Sequence, residues 1–244
     1  MAAAASTAPM VTLTPASSVA SASGIVGIVL AGGASSRMGS DKAVLTVRGE
    51  TLAARAARLL LGVCAQVALA DGGRGLLPGL PSLPDGAGRG PAAGILGAAR
   101  EWPGRALLIL ACDLPGVPAS LLAALAGAHG SGGLHDSGTA HASGGAHDSS
   151  GALDPPVAAA DWVVPRWERG PEPLCALYGP AALAALAAAV ARGIVAPHRL
   201  SETPDLAIEY LEGERLRCFG PPADLFLNLN TPADLARWEQ LAKG

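Results

Sequence analysis

The run Ile25-Val26-Gly27-Ile28-Val29-Leu30-Ala31-Gly32-Gly33-Ala34-Ser35-Ser36-Arg37-Met38-Gly39-Ser40-Asp41-Lys42 opens as a short β-branched stretch, turns at a glycine pair and closes on Arg37 and Lys42. Its apolar opening reads as a buried parallel strand. The carboxyl end of a first parallel strand is where open α/β sheets bind ligands. Glycines let backbone approach a phosphate and turn its N–H groups into anion donors. Arg37 adds a fork of donors matched to phosphate oxygens, and Lys42 a compact charge. The loop is neither a Walker A sequence nor GxGxxG, since Lys42 does not follow the second glycine and is not followed by Ser or Thr. The bland alternative is a glycine-rich turn with solvated charges. Against it, the chain has 15 Arg and only two Lys, and Lys243 sits at the very end.

Outward from this loop, strand-length apolar runs alternate with helical ones. Residues 51–61 have helical apolar spacing, with Arg55 and Arg58 on the outer side; Gln66–Ala70 reads as a second strand. Residues 92–100 read as a helix, Ala106–Ala111 as a buried strand, and 118–128 as a helix with proline near its start. A further strand is expected at 161–165, a helix at 180–192 and a last short strand at 225–228. The helix expected at 231–242 has Thr231 as N-cap, Pro232 at its first position and Asp234 facing back to the cap. The alternation predicts βαβ units and a mostly parallel sheet covered on both faces.

Composition narrows the classes. Of 244 residues, 32 are Gly and 20 are Pro, and four Trp, two Tyr and two Phe are the only aromatics, so the core must be Ala, Leu and Val. The longest apolar run is the eleven residues 181–191, short of the ~20 a membrane span needs. Residues 1–24 carry no charge and read as a disordered Ala/Ser tail rather than a signal or transit peptide. Between 129 and 157 lie three acids (Asp136, Asp148, Asp154) and no base, so the rest holds 17 bases against 17 acids. A balanced domain is a poor polyanion binder, which argues against nucleic acid. Cys64, Cys112, Cys175 and Cys218 are far apart, without zinc or disulfide spacing, which suits a reducing, cytoplasmic interior.

The segment 129–157 repeats every six residues, HGSGGL, HDSGTA, HASGGA, HDSSGA, with His129, His135, His141 and His147 leading the units. The expected organisation is a single domain over 25–244 interrupted there by a flexible expansion. Adventitious metal binding is the other reading of such a tract. This reading leaves His198 alone in the folded part, so chemistry built on a histidine base is not expected.

Three further clusters carry chemistry. Asp113 ends the strand of Leu110-Ala111-Cys112-Asp113-Leu114-Pro115, at the same sheet edge as the glycine loop, and could hold Mg²⁺ or cap the next turn. Cys112 beside it reads as a small core residue. Asn228 and Asn230, the only asparagines, stand two apart and can present amide oxygens on one face or cap the following helix. Asp85, with Gly90-Pro91-Ala92-Ala93-Gly94, forms a polar loop before a helix, suited to a base or ribose.

Together these residues resemble the MobA-like nucleotidyltransferases, most of all the molybdenum cofactor guanylyltransferases. The LAGGxSxRMGxxK signature spans Leu30 to Lys42 with every fixed position kept; the GPLAG loop is present with Ala92 for Leu. CDxP appears as Cys112-Asp113-Leu114-Pro115, QPLCALY as Glu172-Pro173-Leu174-Cys175-Ala176-Leu177-Tyr178, and NxNTPxDL from Asn228 to Leu235. The resemblance implies a three-layer α/β/α Rossmann-like fold. It implies GTP bound by Leu30, Ala31, Gly32, Gly33 and Lys42, with Asp71 and Asp85 as further nucleotide contacts. Asp113 would bind nucleotide and Mg²⁺, the latter with Asn228 and Asn230, and residues 166–178 would face a pterin. Arg37, Lys42 and Asp113 would carry catalysis of GMP transfer from GTP to Mo-molybdopterin, with pyrophosphate released. Transient contact with molybdopterin-delivering proteins or molybdoenzymes would follow, with no nucleic-acid or membrane partner. A sister transferase using CTP on molybdopterin or GTP on another phosphorylated acceptor, and a non-catalytic GTP-binding protein, are the competing readings.

Overall fold

The computed structural model describes residues 24–32, 42–130 and 159–241. The expectations placed on the tail, on Gly33 and Arg37, and on nearly all of the histidine tract lie outside the described residues. Strand β1 (Ile25–Leu30) comes first, and a 3-10 turn at Lys42–Val44 leads to a small hairpin of β2 (Thr46–Val47) and β3 (Glu50–Thr51). Then come α1 (Leu52–Leu61), β4 (Gln66–Ala70), β5 (Ser82–Leu83), α2 (Pro91–Glu101), β6 (Ala106–Ala111) and α3 (Ala119–Gly130). The second part holds β7 (Trp162–Trp167), β8 (Gly170–Pro171), β9 (Cys175–Tyr178), α4 (Pro180–Ala191) and β10 (Ile208–Leu211). Three helices finish it: α5 (Glu214–Arg217), α6 (Pro222–Leu225) and α7 (Pro232–Leu241).

The sheet runs β10-β7-β9-β6-β1-β4-β5, with β8 paired to β7. The β1–β4, β1–β6, β4–β5 and β7–β10 pairs are parallel, and β9 alone among the main strands runs against its neighbours β6 and β7. Helices α1 and α3 meet on one face and α2 and α4 on the other, giving the expected three layers. Each residue of β1 and of β6 is buried, as a strand covered on both faces requires.

Sequence explains the helices locally. Thr51 caps α1, its hydroxyl accepting the N–H of Ala54 at 3.2 Å, and Leu52, Ala53, Ala56, Ala57 and Leu60 form one buried stripe. Small residues set the spacing of α2 on the sheet: a Cβ on Gly94 would touch Ala70 and Leu30 at 3.2 Å. Close approach of this kind replaces the volume that aromatic side chains would otherwise supply. Among the described residues no helix is long and apolar enough to cross a membrane.

Two expectations are corrected. Residues 225–228 are not a strand: Leu225 ends α6, and the next N–H groups go to Pro222, Asp224 and Asp113 carbonyls instead of a ladder. Likewise α3 runs on through His129, whose Nδ1 lies 3.0 Å from the Ala160 carbonyl oxygen, so this histidine belongs to the fold and not to the expansion.

Candidate functional site

Strands β1, β4 and β6 end level, with Leu30 paired to Ala70 on one side and Ala111 on the other. The ladder continues one residue further, Ala31 N–H donating to the Ala70 carbonyl and Cys112 N–H to that of Leu30, both at 3.1 Å. Ala31, Asp71 and Cys112 therefore leave the sheet side by side. Against this edge lies a cavity of about 330 Å³ lined by Leu30, Gly32, Ala70, Asp85, Gly90, Pro91 and Gly94. That volume falls in the range of small-molecule sites. Gly90 precedes α2 at φ +61°, a conformation open to glycine, and directs the helix N-terminus toward the cavity. Six of its seven lining residues belong to the glycine loop signature that starts at Leu30 or to the Asp85–Gly94 loop, Ala70 being the exception.

Backbone contact fixes Asp85. The Gly86 N–H donates to the Ala93 carbonyl at 2.8 Å, and a Cβ on Gly97 would lie 2.2 Å from the Pro84 carbonyl oxygen. Only hydrogen at position 97 lets the loop rest on α2. Asp85 stands exposed at the cavity, with Oδ1 4.0 Å from where a Cβ of Gly32 would be.

Lys42 opens the 3-10 turn and reaches across the edge. Its Nζ lies 3.3 Å from Asp113 Oδ2 and 2.5 Å from Asn230 Oδ1, and the Lys42 and Asp113 side chains are only 14% and 19% exposed. Three sequence-distant candidates thus share one point. Backbone bonds hold them there: Leu229 N–H donates to the Asp113 carbonyl at 3.0 Å. Gly116 lies so close to α6 that a Cβ would meet the Asp224 oxygen at 2.2 Å. Asp234 Oδ2 accepts from Asn230 N, Thr231 N and Thr231 Oγ1 at 2.8–3.0 Å, the capping arrangement expected for α7. Asn228 Oδ1 is buried and has no hydrogen-bond partner among the described residues.

The donors at this point are hard oxygens. An ammonium already sits between two of them, and a third oxygen nearby in sequence is buried without a donor, so the cluster fits a cation. Among the described residues no three His, Cys, Asp or Glu converge. One carboxylate with amide oxygens is the sparse set that suits Mg²⁺, which draws its remaining ligands from water and substrate phosphates.

Asp71 is placed differently from expectation. It is 1% exposed, and its carboxylate accepts from the N–H groups of Gly73, Arg74 and Leu76 and from Ser82 Oγ. Burial would raise its pKa, but the bonds from Leu76, Ser82, Gly73 and Arg74 outweigh this and hold it below the usual carboxylate range. Arg74 in turn donates to the carbonyls of Asp71 and Ala31. Asp71 therefore shapes the turn at the end of β4, with Oδ1 taken by three donors and Oδ2 by the Leu76 N–H.

Glu172, the departure from the QPLCALY pattern, sits before β9 with its N–H on the Pro165 carbonyl at 2.8 Å. Burial pushes its carboxyl up to about 7; the Leu174 N–H opposes this, and the charge of Asp113 adds to it. The folded chain thus keeps a proton that the unfolded chain releases near pH 4.5. Its stabilising contribution is complete below that pH and fades as pH rises through about 7, a change of about 3 kcal/mol. Glu172→Gln is expected to flatten the fall in melting temperature between pH 5 and 7.5. A variant whose profile parallels that of the parent across this window would refute the assignment.

One side chain is placed differently from its sequence reading. Arg55 and Arg58 both looked like solvated helix charges. Arg58 does pair with Glu50, at 2.9 and 3.0 Å, but Arg55 turns inward and donates from Nε and Nη2 to the Pro115 carbonyl at 3.1 and 2.7 Å. The signal that marks it, a carbonyl 60 positions away, is not local.

A mostly parallel α/β sheet carries a glycine-flanked cavity at its carboxyl edge, with a lysine and an aspartate paired at the same edge, and the fold is that of solved nucleotidyltransferases. Residues 27–203 match the MobA-like NTP transferase domain, and the chain belongs to that family. It is 32% identical over 218 residues to the molybdenum cofactor guanylyltransferase of Acidiphilium cryptum, covering 85% of this chain and 90% of that one. To the probable molybdenum cofactor guanylyltransferase of Pelotomaculum thermopropionicum it is 29% identical over 223 residues, covering 89% and 93%. Molybdopterin-guanine dinucleotide biosynthesis protein A from Archaeoglobus fulgidus shares the fold with a TM-score of 0.67 at 24% identity, over 89% of this chain and 98% of that one. The 2-C-methyl-D-erythritol 4-phosphate cytidylyltransferase of Thermus thermophilus shares it at 0.55 and 18% identity, over 89% and 98%.

Proposed function

We propose that the chain transfers GMP from GTP to the terminal phosphate of Mo-molybdopterin, giving the guanine dinucleotide cofactor and pyrophosphate. The observation that carries this reading is the meeting of Lys42, Asp113 and Asn230 at the same carboxyl edge of the sheet as the cavity that Gly32 and Asp85 line. The names of the relatives support the choice of nucleotide and acceptor.

In this reading Gly32 and the α2 N-terminus receive the nucleotide, and Asp85 contacts the nucleoside. An acceptor oxygen of the pterin phosphate bonds to the α-phosphorus as the bond to the bridging oxygen of pyrophosphate breaks. That oxygen is already anionic at neutral pH, so no base need remove a proton. Lys42, with Arg37 from the loop, offsets negative charge on the α-phosphate and the departing pyrophosphate. Asp113, with Asn228 and Asn230, would hold Mg²⁺, which supplies charge neutralisation and orientation to the phosphates when bound. The low histidine content of the fold accords with chemistry by positioning and charge.

Pyrophosphate release measured with ATP, CTP, GTP and UTP, each in the presence of Mo-molybdopterin, tests the reading. Release is expected with GTP and Mg²⁺, and EDTA should abolish it. A clear preference for CTP would move the chain to the sister activity, and GTP binding without release under any condition would make it a non-catalytic binder.

A further inference from the structure

Arg55 occupies a half-buried place on α1 and, among the described residues, pairs with no carboxylate, Glu50 being taken by Arg58. Burial pulls its pKa down, and the charges of Arg58 and Arg48 add to this while Glu50 opposes it. An arginine held under those conditions needs a strong geometric reason. Two of its donors converge on one oxygen, the Pro115 carbonyl, two residues beyond Asp113. Its guanidinium also lies 5.7 Å from the centre of the Trp238 ring, as does that of Arg48. Trp238 is 7% exposed and is the one buried residue of α7, so the seating of that helix depends on it.

These contacts close a circuit. From Arg55 one arm runs through the Pro115 carbonyl to Asp113. The other runs through Trp238 along α7 to Asp234, which fixes the backbone of Asn230. The arms rejoin at Lys42 Nζ, bonded to both Asp113 and Asn230. We infer that Arg55 is a positioning residue that sets the separation of Asp113 and Asn230, holding one through the Pro115 carbonyl and the other through the ring of Trp238. A lysine could keep the charge but not the two-donor grip on the Pro115 carbonyl. The inference rests on the proposed transferase site only for its catalytic consequence; the mechanical part stands apart from it.

The test uses the full chain with Arg55→Met, Arg55→Lys, Trp238→Leu and the Arg55→Met/Trp238→Leu pair, assayed below their melting temperatures. Hydrogen exchange of the Leu229 and Asn230 amides, whose bonds lie inside the circuit, is expected to quicken roughly tenfold in Arg55→Met while the β1 amides stay unchanged. In turnover, kcat is expected to fall roughly tenfold or more with the KM for GTP little altered, because small displacements of positioned groups cost rate before affinity. Arg55→Lys should recover the melting temperature but not kcat, and the double variant should be no slower than the slower single one. Unchanged exchange at Leu229 and Asn230 would overturn the inference whatever the substrate proves to be. Losses confined to melting temperature, or multiplying in the pair, would also overturn it. If exchange quickens as expected but the unmodified chain releases no pyrophosphate, the proposed reaction fails and the positioning role stands.

Discussion

Replacing Asp113 by alanine should lower turnover by about a thousandfold or more, the scale seen when a group acting on transition-state charge is removed, while the melting temperature moves by a few degrees at most. The structure separates the two outcomes because the residue carries its architecture and its chemistry on different atoms. The main-chain carbonyl of Asp113 anchors the asparagine segment through Leu229 and survives the substitution. Among the described residues the carboxylate has one hydrogen-bonded partner, Lys42, and it is 19% exposed, so its loss leaves no deep cavity. Lys42→Ala should behave alike, since it removes the cation that joins Asp113 to Asn230. Steady-state pyrophosphate release and thermal unfolding of the same preparations decide it. Turnover close to that of the unmodified protein in either variant would remove the site.

Gly97→Val should be the most damaging single glycine change near the cavity, for a reason unrelated to charge. The new Cβ would lie 2.2 Å from the Pro84 carbonyl oxygen, 3.0 Å from Gly86 N and 3.3 Å from the Asp85 carbonyl carbon. All three are backbone atoms, so no rotamer change relieves the overlap; the loop bearing Asp85 has to lift off α2. Overpacking of this severity costs about 3 kcal/mol or more. The expected result is a large fall in melting temperature, with KM for the nucleotide raised in whatever fraction remains folded. Gly127→Ala is the matching control, since nothing lies within 4 Å of its Cβ position in α3. It should be neutral or stabilising by up to about 1 kcal/mol. Equal behaviour of the two variants would show that the Pro84–Gly97 approach is not needed.

How much of this was legible beforehand depends on where each signal resides. Strands β1, β4 and β6 have the bounds read from sequence because each is a short, mostly apolar run with a glycine or an aspartate within two residues of its end. The α7 start was equally plain, since its cap is written within four residues. Strand β9 was read only as part of a motif, and β10, a half-buried edge strand containing Glu209, was not noticed. Neither its pairing nor its direction has a local signature. Residues 225–228 look as strand-like as Gln66–Ala70, yet they start at the last residue of a one-turn helix that follows two prolines and find no ladder. In the site, Lys42, Asp113 and Asn230 could be selected by residue type and place. The filled carboxylate of Asp71 and the inward turn of Arg55 depend on donors and acceptors contributed by the folded backbone.

The reversed direction of β9 settles a matter of chain geometry on the far side of the sheet. Because β9 opposes both β6 and β7, the latter two point the same way, and the junction between α3 and β7 falls at the rim opposite Lys42 and Asp113. There the two ends of the junction are stapled within bonding distance, His129 to Ala160, and the Gly179 N–H meets the Asp161 carbonyl at 2.7 Å. With its stem already shut, a connection at that rim can grow at only about 0.6 kcal/mol for each doubling of length. A reporter domain grafted between His129 and Ala160 is therefore expected to leave the rim of Lys42 and Asp113 undisturbed.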